Sequence, residues 1–274
     1  MPNQKIVAIT GASNGMGYEA AELFAKKGWK VYAGARRVEK IPIHENIIAI
    51  KLDVTLSESN HNFINQILQE NPTIDVLINN AGYGEYGPAE EVAMDKIRQQ
   101  FETNFFGAVE LTQLALPAMR DHHFGRIINV SSIGADIYTP LGAYYHATKA
   151  ALQQWSNVLD LEVEPFGIRS ICIQPGSTAS NWREIALANA RKNLVESSPY
   201  EKLVDTIDKT FEGFKQTASS ADLAQVFYKA ATTTQPKGRY FNNLTDFSMV
   251  QLARTCPKLY RKIFKNLMNK ASKR

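Results

Sequence analysis

The feature that most constrains the fold is an alternation of apolar and amphipathic segments along the first 176 residues. Six segments have the β-rich, apolar composition of buried strands: 5–10, 30–34, 47–54, 75–82, 126–132 and 168–176. Segments with helical periodicity lie between them, among them 58–69, 90–101 and 144–164. This alternation predicts an α/β fold with a doubly wound (Rossmann) parallel sheet, right-handed at each crossover. With a last strand at 238–243, we expect about seven strands with helices on both faces in a single domain.

A glycine-rich turn, GASNGMG, joins the first predicted strand to a helix. Its glycines are Gly11, Gly15 and Gly17. A strand, a glycine turn and a helix in this order set backbone N–H groups and the positive helix end against a phosphate. Tight strand–helix turns also use glycine for steric reasons alone, so the turn leaves both interpretations open.

The second predicted strand is followed by Ala35, Arg36 and Arg37. In dinucleotide folds an acidic residue near this point binds the adenosine ribose, whereas an arginine accommodates a 2′-phosphate. Guanidinium groups are well suited to phosphate. The sequence therefore predicts NADP(H) in preference to NAD(H), with a solvated arginine pair as the alternative.

Polar residues, glycine and proline stand at the ends of the other predicted strands, namely Asp53, Asn79, Asn80, Gly82, Ser131, Ser132, Pro175 and Gly176. The carboxyl ends of parallel strands meet at one edge of the sheet, where doubly wound folds bind their ligands. We therefore expect the glycine turn, Asn80, Ser132, Pro175 and Gly176 to converge on one crevice, with Tyr145 after the next loop.

Tyr145 and Lys149 lie four residues apart on the predicted helix 144–164, which places them on one face. A nearby ammonium stabilises a phenolate and brings tyrosine closer to the range in which it transfers protons. The same spacing also occurs by chance in many solvated helices, so the pair acquires meaning only from the crevice beside it.

Charge is distributed unevenly along the chain. Of its 31 basic residues, eight lie between Arg254 and Arg274, where no acidic residue occurs, so the remainder has 23 basic and 27 acidic side chains. A basic end without interleaved base-stacking residues argues against a nucleic-acid partner.

The segment PKLYRKIFKNLMNKASKR predicts a basic amphipathic helix on which Leu259, Ile263 and Leu267 align. We favour its docking on the body or on a partner subunit, with peripheral contact to an anionic membrane as the alternative.

Several segments bound the organisation of the chain. We expect residues 1–245 to form the Rossmann-type domain and 246–274 a basic C-terminal extension. Residues 177–216 are interpreted as a helical lid, in which Trp182, Ile185, Leu187 and Leu194 favour an apolar ketone, aldehyde or alcohol as the substrate.

Two distant cysteines predict free thiols in a reducing cytosol and no metal site. The N-terminus runs directly into a strand without room for a signal peptide, and no apolar run is long enough to span a bilayer. We expect a cytoplasmic protein, with peripheral membrane contact as the alternative.

Assembled in order, these motifs resemble those of the short-chain dehydrogenase/reductase family over about residues 5–245. TGASNGMG is similar to the family's cofactor turn, LDV to its adenine-side contact and NNAG to its fourth-strand motif. YHATK matches the family's YxxxK, Ser132 stands thirteen residues before Tyr145, and Asn104 falls at the family's helix asparagine. The arginine pair and the extension look most like hydroxysteroid- and retinol-dehydrogenase-like members.

The resemblance implies a role for each matching residue. Tyr145 would be the general acid or base, Ser132 would bind the substrate oxygen, and Lys149 would favour tyrosinate and bind the nicotinamide ribose. Asn104, which by itself would be interpreted as a helix N-terminal residue, would hold a water that links Lys149 to solvent. The implied cofactor contacts are Gly11, Ser13, Asn14, Gly15, Met16, Gly17, Arg36, Arg37, Asp53, Val54, Asn80, Ala81, Gly82, Tyr145, Lys149, Pro175, Gly176, Thr178 and Ser180. Ser180 stands where the family usually has a threonine, and Thr178 is a second hydroxyl for the same contact.

For the substrate the expected contacts are Ser132, Tyr145 and Trp182. The reaction that the resemblance implies is interconversion of an apolar carbonyl compound and an alcohol by hydride transfer, in a homo-oligomer. An NAD-linked alcohol dehydrogenase is the alternative within enzymes, and a non-catalytic dinucleotide sensor the alternative outside them.

Overall fold

The computed structural model describes residues 4–179, 182–214 and 218–273. Its strands are Ile6–Thr10 (β1), Lys30–Ala35 (β2), Ile47–Lys51 (β3), Val76–Asn79 (β4), Gly125–Val130 (β5), Ile168–Ile173 (β6), Thr178–Ala179 (β7), Ala218–Ser219 (β8) and Arg239–Tyr240 (β9). Seven of them form one parallel sheet in the order β3-β2-β1-β4-β5-β6-β9. The predicted doubly wound sheet of about seven strands is confirmed. β7 and β8 form a separate two-stranded sheet that the sequence did not predict.

The helices are Gly15–Lys26 (α1), Ser57–Glu70 (α2), Met94–Phe101 (α3), Gly107–Asp121 (α4), Ala143–Val163 (α5), Trp182–Lys192 (α6), Glu201–Glu212 (α7), Ser220–Thr232 (α8), Leu244–Thr255 (α9) and Pro257–Ala271 (α10). They cover both faces of the sheet. Val7 and Ile9 of β1 face a core that includes Phe24 of α1 and Phe227 of α8. The alternate residues of β1 face a second core built from α2, α4 and α5. Burial on both faces explains why the strands are continuously apolar.

Five predicted strands, β3, β4, β5, β6 and β9, end earlier in the structure than the sequence indicated. β3, β4 and β6 stop at Lys51, Asn79 and Ile173, so the polar and glycine residues beyond them lie in loops. Composition does not show where backbone pairing with the neighbouring strand stops, so the predicted boundaries lie too late. The chain leaves the sheet at these points and forms the walls of the crevice.

Asn104 does not begin a helix. It lies in a π-helical turn, Glu102–Phe106, that joins α3 and α4 into one continuous helical segment. A π turn adds one residue to the helical repeat and is frequent at functional sites. The interpretation of Asn104 as a helix N-terminal residue is therefore wrong, because the helical segment continues through it.

The C-terminal segment forms two helices, and α10 docks on the body through Tyr260, Phe264 and Ala271. The aligned residues Leu259, Ile263 and Leu267 stay exposed instead. Among the described residues, none of the helices combines the length and apolar character that crossing a bilayer would require.

Candidate active site

The glycine turn between β1 and α1 has the backbone geometry that a close-approaching ligand requires. Gly11 and Gly15 have φ of +69° and +57°. At Gly17 a Cβ would lie 2.4 Å from Asn80 Nδ2 and 2.5 Å from the Gly11 carbonyl oxygen, so only glycine fits there. Asn14 caps α1 by accepting a hydrogen bond from Gly15 N at 2.8 Å. The free N–H groups of the first turn of α1 fit a phosphate.

Two other residues of this turn were expected to contact the cofactor. Ser13 lies half-buried in the turn itself. Met16 lies in the first turn of α1 and packs its side chain against the core, which leaves its backbone for a ligand.

Arg36 and Arg37 are exposed directly after β2, at the same edge of the sheet as the glycine turn. Burial raises the pKa of Tyr83 to about 12, and the positive charge of Arg36 acts in the opposite direction. The charge of Arg36 therefore favours the ionised form of the Tyr83 phenol.

Asp53 and Val54 follow β3 in the same row of loops. Oδ1 of Asp53 accepts hydrogen bonds from the backbone N and the hydroxyl of Thr55, at 3.1 and 2.8 Å. Val54 is buried in the second core, and its carbonyl accepts a hydrogen bond from Asn60. These contacts fix the loop, so any adenine contact from Val54 would come from its backbone or from the edge of its side chain.

The adjacent asparagines at the end of β4, Asn79 as its last residue and Asn80 directly after it, have different environments because successive residues of an extended chain point to opposite sides. Asn79 is buried and donates to Asn129 Oδ1 at 2.9 Å, within the core. Asn80 Nδ2 donates to the carbonyls of Thr10 and Gly11, at 2.9 and 3.3 Å. Asn80 therefore ties the end of β4 to the glycine turn.

Ala81 and Gly82 continue the row from Asn80 toward the catalytic candidates. Ala81 N donates to the Thr10 hydroxyl at 2.9 Å. A Cβ on Gly82 would lie 3.1 Å from Asn104 Oδ1 and 3.3 Å from Lys149 Nζ, so these two side chains flank Gly82. A residue larger than glycine would displace one of them.

Asn104 is almost fully buried, and its side chain is held on both atoms. Oδ1 accepts from Tyr83 N at 3.0 Å, and Nδ2 donates to the Tyr83 carbonyl at 2.9 Å and to the Thr148 hydroxyl at 3.1 Å. The amide therefore braces the loop after β4 against α5.

Tyr145 and Lys149 share the buried face of α5, as the four-residue spacing predicted. Lys149 Nζ donates to the Val130 carbonyl at 2.7 Å and lies 6.0 Å from the centroid of the Tyr145 ring. Burial raises the pKa of Tyr145 to about 12, with hydrogen bonding to Ser132 acting in the opposite direction. Burial also lowers the pKa of Lys149 to about 8. The pKa of Tyr145 therefore shifts upward rather than in the direction expected from a neighbouring ammonium, because desolvation of the phenol is the largest influence on it.

Two pairs of neighbouring residues, Ser131 with Ser132 and Tyr144 with Tyr145, have different environments in the structure. The Ser131 hydroxyl is buried and donates to the Lys149 carbonyl at 3.0 Å. The Ser132 hydroxyl accepts from Gly134 N at 3.0 Å and interacts with the Tyr145 phenol. Likewise the Tyr144 hydroxyl donates to the Ala89 carbonyl, away from the group formed by Ser132, Tyr145 and Lys149.

The loop after β6 carries Pro175, Gly176 and Thr178. The Pro175 carbonyl accepts from Ile133 N at 3.0 Å, which joins this loop to the Ser132 loop. The Thr178 hydroxyl donates to the Gly176 carbonyl at 3.3 Å. Ser180, the residue in the place of the family's threonine, lies outside the described residues.

The predicted lid contributes to a third apolar cluster, which covers Tyr145. The cluster comprises Tyr86, Leu141, Tyr145, Ala186, Leu187, Ala190, Val204, Ile207 and Phe264, with Trp182, Leu194, Leu203, Phe211, Phe214 and Met268 packed against it. Of the four lid residues that the sequence analysis names, Ile185 does not join this cluster, because its side chain is exposed on α6. α10 also reaches the cluster, which the sequence did not predict.

Two residues that support the Ser132 loop were missed in the sequence. Asp136 Oδ2 accepts from Gln174 Nε2 at 2.7 Å, and the same amide donates to the Ser132 carbonyl at 3.2 Å. His146 bonds the Gly134 carbonyl through Nδ1 at 2.8 Å. His146 stands within the YHATK motif, so its position was a signal, whereas nothing in the sequence marks Asp136.

A third missed residue is Asp246, at the start of α9. It is buried, and its carboxylate occupies the space that a Cβ on Gly176 would take, 2.1 Å from Oδ1. Burial raises its pKa, whereas hydrogen bonds from Asn243 and the Gly176 backbone lower it. Asn243 accepts from Asp246 N, a pattern that marks a helix start but not the contact with Gly176.

Three features define a dinucleotide-binding oxidoreductase of the doubly wound class: a glycine turn at a helix end, polar residues at the carboxyl edge, and a half-buried Ser132 beside the buried Tyr145 and Lys149. Comparisons with known proteins agree with this class. The family model for short chain dehydrogenase matches residues 5–190. This chain belongs to the short-chain dehydrogenase/reductase family, and it is an oxidoreductase that uses a nicotinamide dinucleotide.

Individual relatives cover most or part of the chain. VdlC of Helicobacter pylori (strain J99), a probable short-chain type dehydrogenase/reductase, is 32% identical over 256 residues, which are 92% of this chain and 93% of that protein. A 3-ketodihydrosphingosine reductase of Bacteroides thetaiotaomicron is 40% identical over 175 residues, 63% of each protein. The crystal structure of a short-chain dehydrogenase from Streptomyces avermitilis has a TM-score of 0.82 and 28% identity, covering 98% of this chain and 99% of its own.

Proposed function

We propose that this protein is an NADP(H)-dependent oxidoreductase that interconverts a ketone or aldehyde and an alcohol on an apolar substrate. The observation that carries the proposal is the convergence of Ser132, Tyr145 and Lys149 beneath an apolar lid. Acid–base chemistry in a buried apolar setting suits carbonyl reduction, because water is excluded from the reacting atoms.

A bound nicotinamide cofactor supplies the hydride. Tyr145 gives its phenolic proton to the carbonyl oxygen, and its raised pKa of about 12 keeps that proton in place at neutral pH. Ser132 donates a hydrogen bond to the same oxygen and polarises the carbonyl. Lys149, which flanks Gly82, would hold the ribose hydroxyls of the cofactor and would offset negative charge that develops on Tyr145.

The preference for NADP(H) rests on Arg36 and Arg37. Both side chains are exposed after β2, at the position where dinucleotide folds select between a ribose hydroxyl and a 2′-phosphate. The positive charge of Arg36 also lowers the pKa of Tyr83, a residue of the loop beyond β4, which supports a place for Arg36 at this edge of the sheet. An NAD-linked alcohol dehydrogenase is the competing function, which a titration with both cofactors separates.

An apolar substrate is supported by the composition of the cluster over Tyr145, in which tyrosine, tryptophan and phenylalanine rings predominate. The 3-ketodihydrosphingosine reductase among the relatives is named for the reduction of a ketone, which favours the reductive direction here. Membership of a hydroxysteroid- or retinol-dehydrogenase-like branch stays a prediction.

A homo-oligomer is supported by exposed apolar side chains around α4 and α5. Phe106 precedes α4, Val158 and Leu161 lie on α5, and Phe166 follows it; all four are exposed. Family members commonly pair through these helices, so we propose a dimer or a tetramer. Light scattering after size exclusion measures its mass directly.

The central test is a panel of apolar ketones and aldehydes assayed by NADPH consumption, with Tyr145→Phe and Tyr144→Phe as matched variants. Tyr145→Phe should lower kcat by at least about 100-fold, the range lost with a general acid, while NADPH affinity changes little. Tyr144→Phe should keep its rate, since that hydroxyl bonds to Ala89. Near-normal turnover by Tyr145→Phe would overturn the mechanism. Tight NADPH binding without turnover of any compound would favour the dinucleotide sensor.

A further inference from the structure

One side of α10 packs against the body of the protein. The other side of the helix therefore faces outward. Tyr260 and Phe264 are buried against the body, and the Tyr260 hydroxyl donates to the Tyr138 carbonyl at 2.8 Å. The rings of Tyr138 and Tyr260 also meet edge to face, with centroids 5.1 Å apart. α10 is therefore a docked helix with a defined outer side.

An apolar stripe, which we define as Leu259, Ile263 and Leu267, runs along this outer side. The three residues are spaced by four, so they form one row on the helix. They are 48%, 42% and 38% exposed. A row of three branched apolar side chains, held outward by the docking of the helix, is the kind of surface that marks an interaction site.

Basic residues border the apolar stripe. Lys262 and Lys270 follow Leu259 and Leu267 by three residues, which places each lysine beside the stripe. The segment from Arg254 to Arg274 has eight basic residues and no acidic one. The surface therefore combines apolar contact with a positive charge that is not neutralised within the segment.

We propose that the outer side of α10 binds the surface of an anionic lipid membrane. In this arrangement the apolar stripe enters the boundary between headgroups and acyl chains, and Lys262 and Lys270 lie at the level of the lipid phosphates. A second copy of the chain is a poorer occupant. A two-fold contact sets the same patch against itself and would bring the two basic flanks together.

The proposed orientation places the bilayer beside the active site. Phe264 and Met268 of α10 pack in the same cluster as Tyr145 and Trp182. The helix that contacts lipid is thus also one wall of the apolar cluster over the catalytic candidates. Membrane binding does not depend on the proposed activity, because lipid contact can be measured without turnover.

The test is flotation of the full-length protein with vesicles of phosphatidylcholine, alone or with about 30% phosphatidylglycerol. The stripe variant is Leu259→Ser, Ile263→Ser and Leu267→Ser together. The matched control is Ile43→Ser, Leu56→Ser and Met94→Ser, three exposed apolar residues on other elements. Circular dichroism and thermal unfolding check that both variants are folded.

We expect wild type and control to float with the anionic vesicles and the stripe variant to bind about tenfold less. Lys262→Glu with Lys270→Glu should weaken binding to the anionic vesicles, as should high salt. Absence of wild-type binding to either vesicle, or equal loss in the matched control, would overturn the proposal. A stripe variant that changes the oligomeric mass but not vesicle binding would assign this surface to a second copy instead.

Discussion

The indole of Trp182 covers the phenol of Tyr145, with 5.1 Å between the two ring centroids. Trp182 is the first residue of α6, so this helix begins next to the proposed acid. Its indole also meets the buried Tyr86 ring at 90°, with a centroid distance of 5.4 Å. We therefore expect Trp182 to contact a substrate that reaches Tyr145.

Replacing Trp182 with alanine should raise KM for apolar carbonyl compounds by about tenfold and affect kcat less, because the lost contact is an aromatic one on the substrate side. Steady-state kinetics with the best compound of the panel measures this. Ile185→Ala, three residues further along α6 and exposed, is the control and should leave KM unchanged. Equal effects of both substitutions would assign the change to the helix rather than to the indole.

Replacing Arg36 and Arg37 with alanine should weaken NADPH by about 100-fold and NADH by only a few-fold, since only NADPH carries the 2′-phosphate. Fluorescence titration with each cofactor measures the two dissociation constants. Lys202→Ala with Lys209→Ala removes the same charge from exposed sites on α7 and should leave both constants almost unchanged. An equal loss for NADPH and NADH would refute the 2′-phosphate role.

The buried imidazole of His146 should make the folded protein less stable in mild acid. Burial lowers its pKa from 6.5 to about 4. Its Nε2 lies 3.1 Å from Thr139 N, which donates to it, so the neutral ring is the form that fits. Between these pH values the unfolded chain binds the extra proton and the folded chain does not. The free energy of unfolding therefore falls as pH drops from about 6.5 toward 4, by roughly 2 kcal/mol from this group.

Urea unfolding of wild type at pH 7 and pH 5 measures the effect. His146→Gln should show a smaller difference between the two pH values, whereas His61→Gln, at an exposed position on α2, should behave as wild type. An unchanged pH dependence in His146→Gln would rule out this histidine as the source.

Asp246→Ala should lower the free energy of unfolding by about 1–3 kcal/mol, because it leaves the half-buried donors of Asn243 and Gly176 without their charged acceptor. It should also raise KM for NADPH, since Gly176 lies in the loop that borders the cofactor groove. Asp160→Ala is the control. Asp160 binds Arg169 at 2.8 Å next to the start of β6, away from the groove, so its loss should affect stability alone. A normal KM for NADPH in Asp246→Ala would limit Asp246 to a structural role.

The sequence determined the order of strands and helices, because burial on both faces of the sheet makes the strands apolar and gives the helices their period. It also located Gly11–Gly17, Ser132, Tyr145 and Lys149, since each stands at a fixed distance from a strand end or from another motif residue. Each of these relationships joins residues that are close in sequence, so the spacing of residue types along the chain is enough to predict it.

Tertiary structure alone decided which residues meet across long separations. Asp246 fills the space beside Gly176, and α10 joins the cluster over Tyr145, although neither contact has a sequence pattern. Burial also reversed the expected direction of the pKa of Tyr145, because desolvation depends on the atoms that surround the phenol. The same holds for α10, where the period of the sequence predicted an apolar row but only the packing of Tyr260 and Phe264 determined which side faces outward. Periodicity specifies that a face is apolar, whereas the partner of that face is set by the three-dimensional arrangement of the remaining elements.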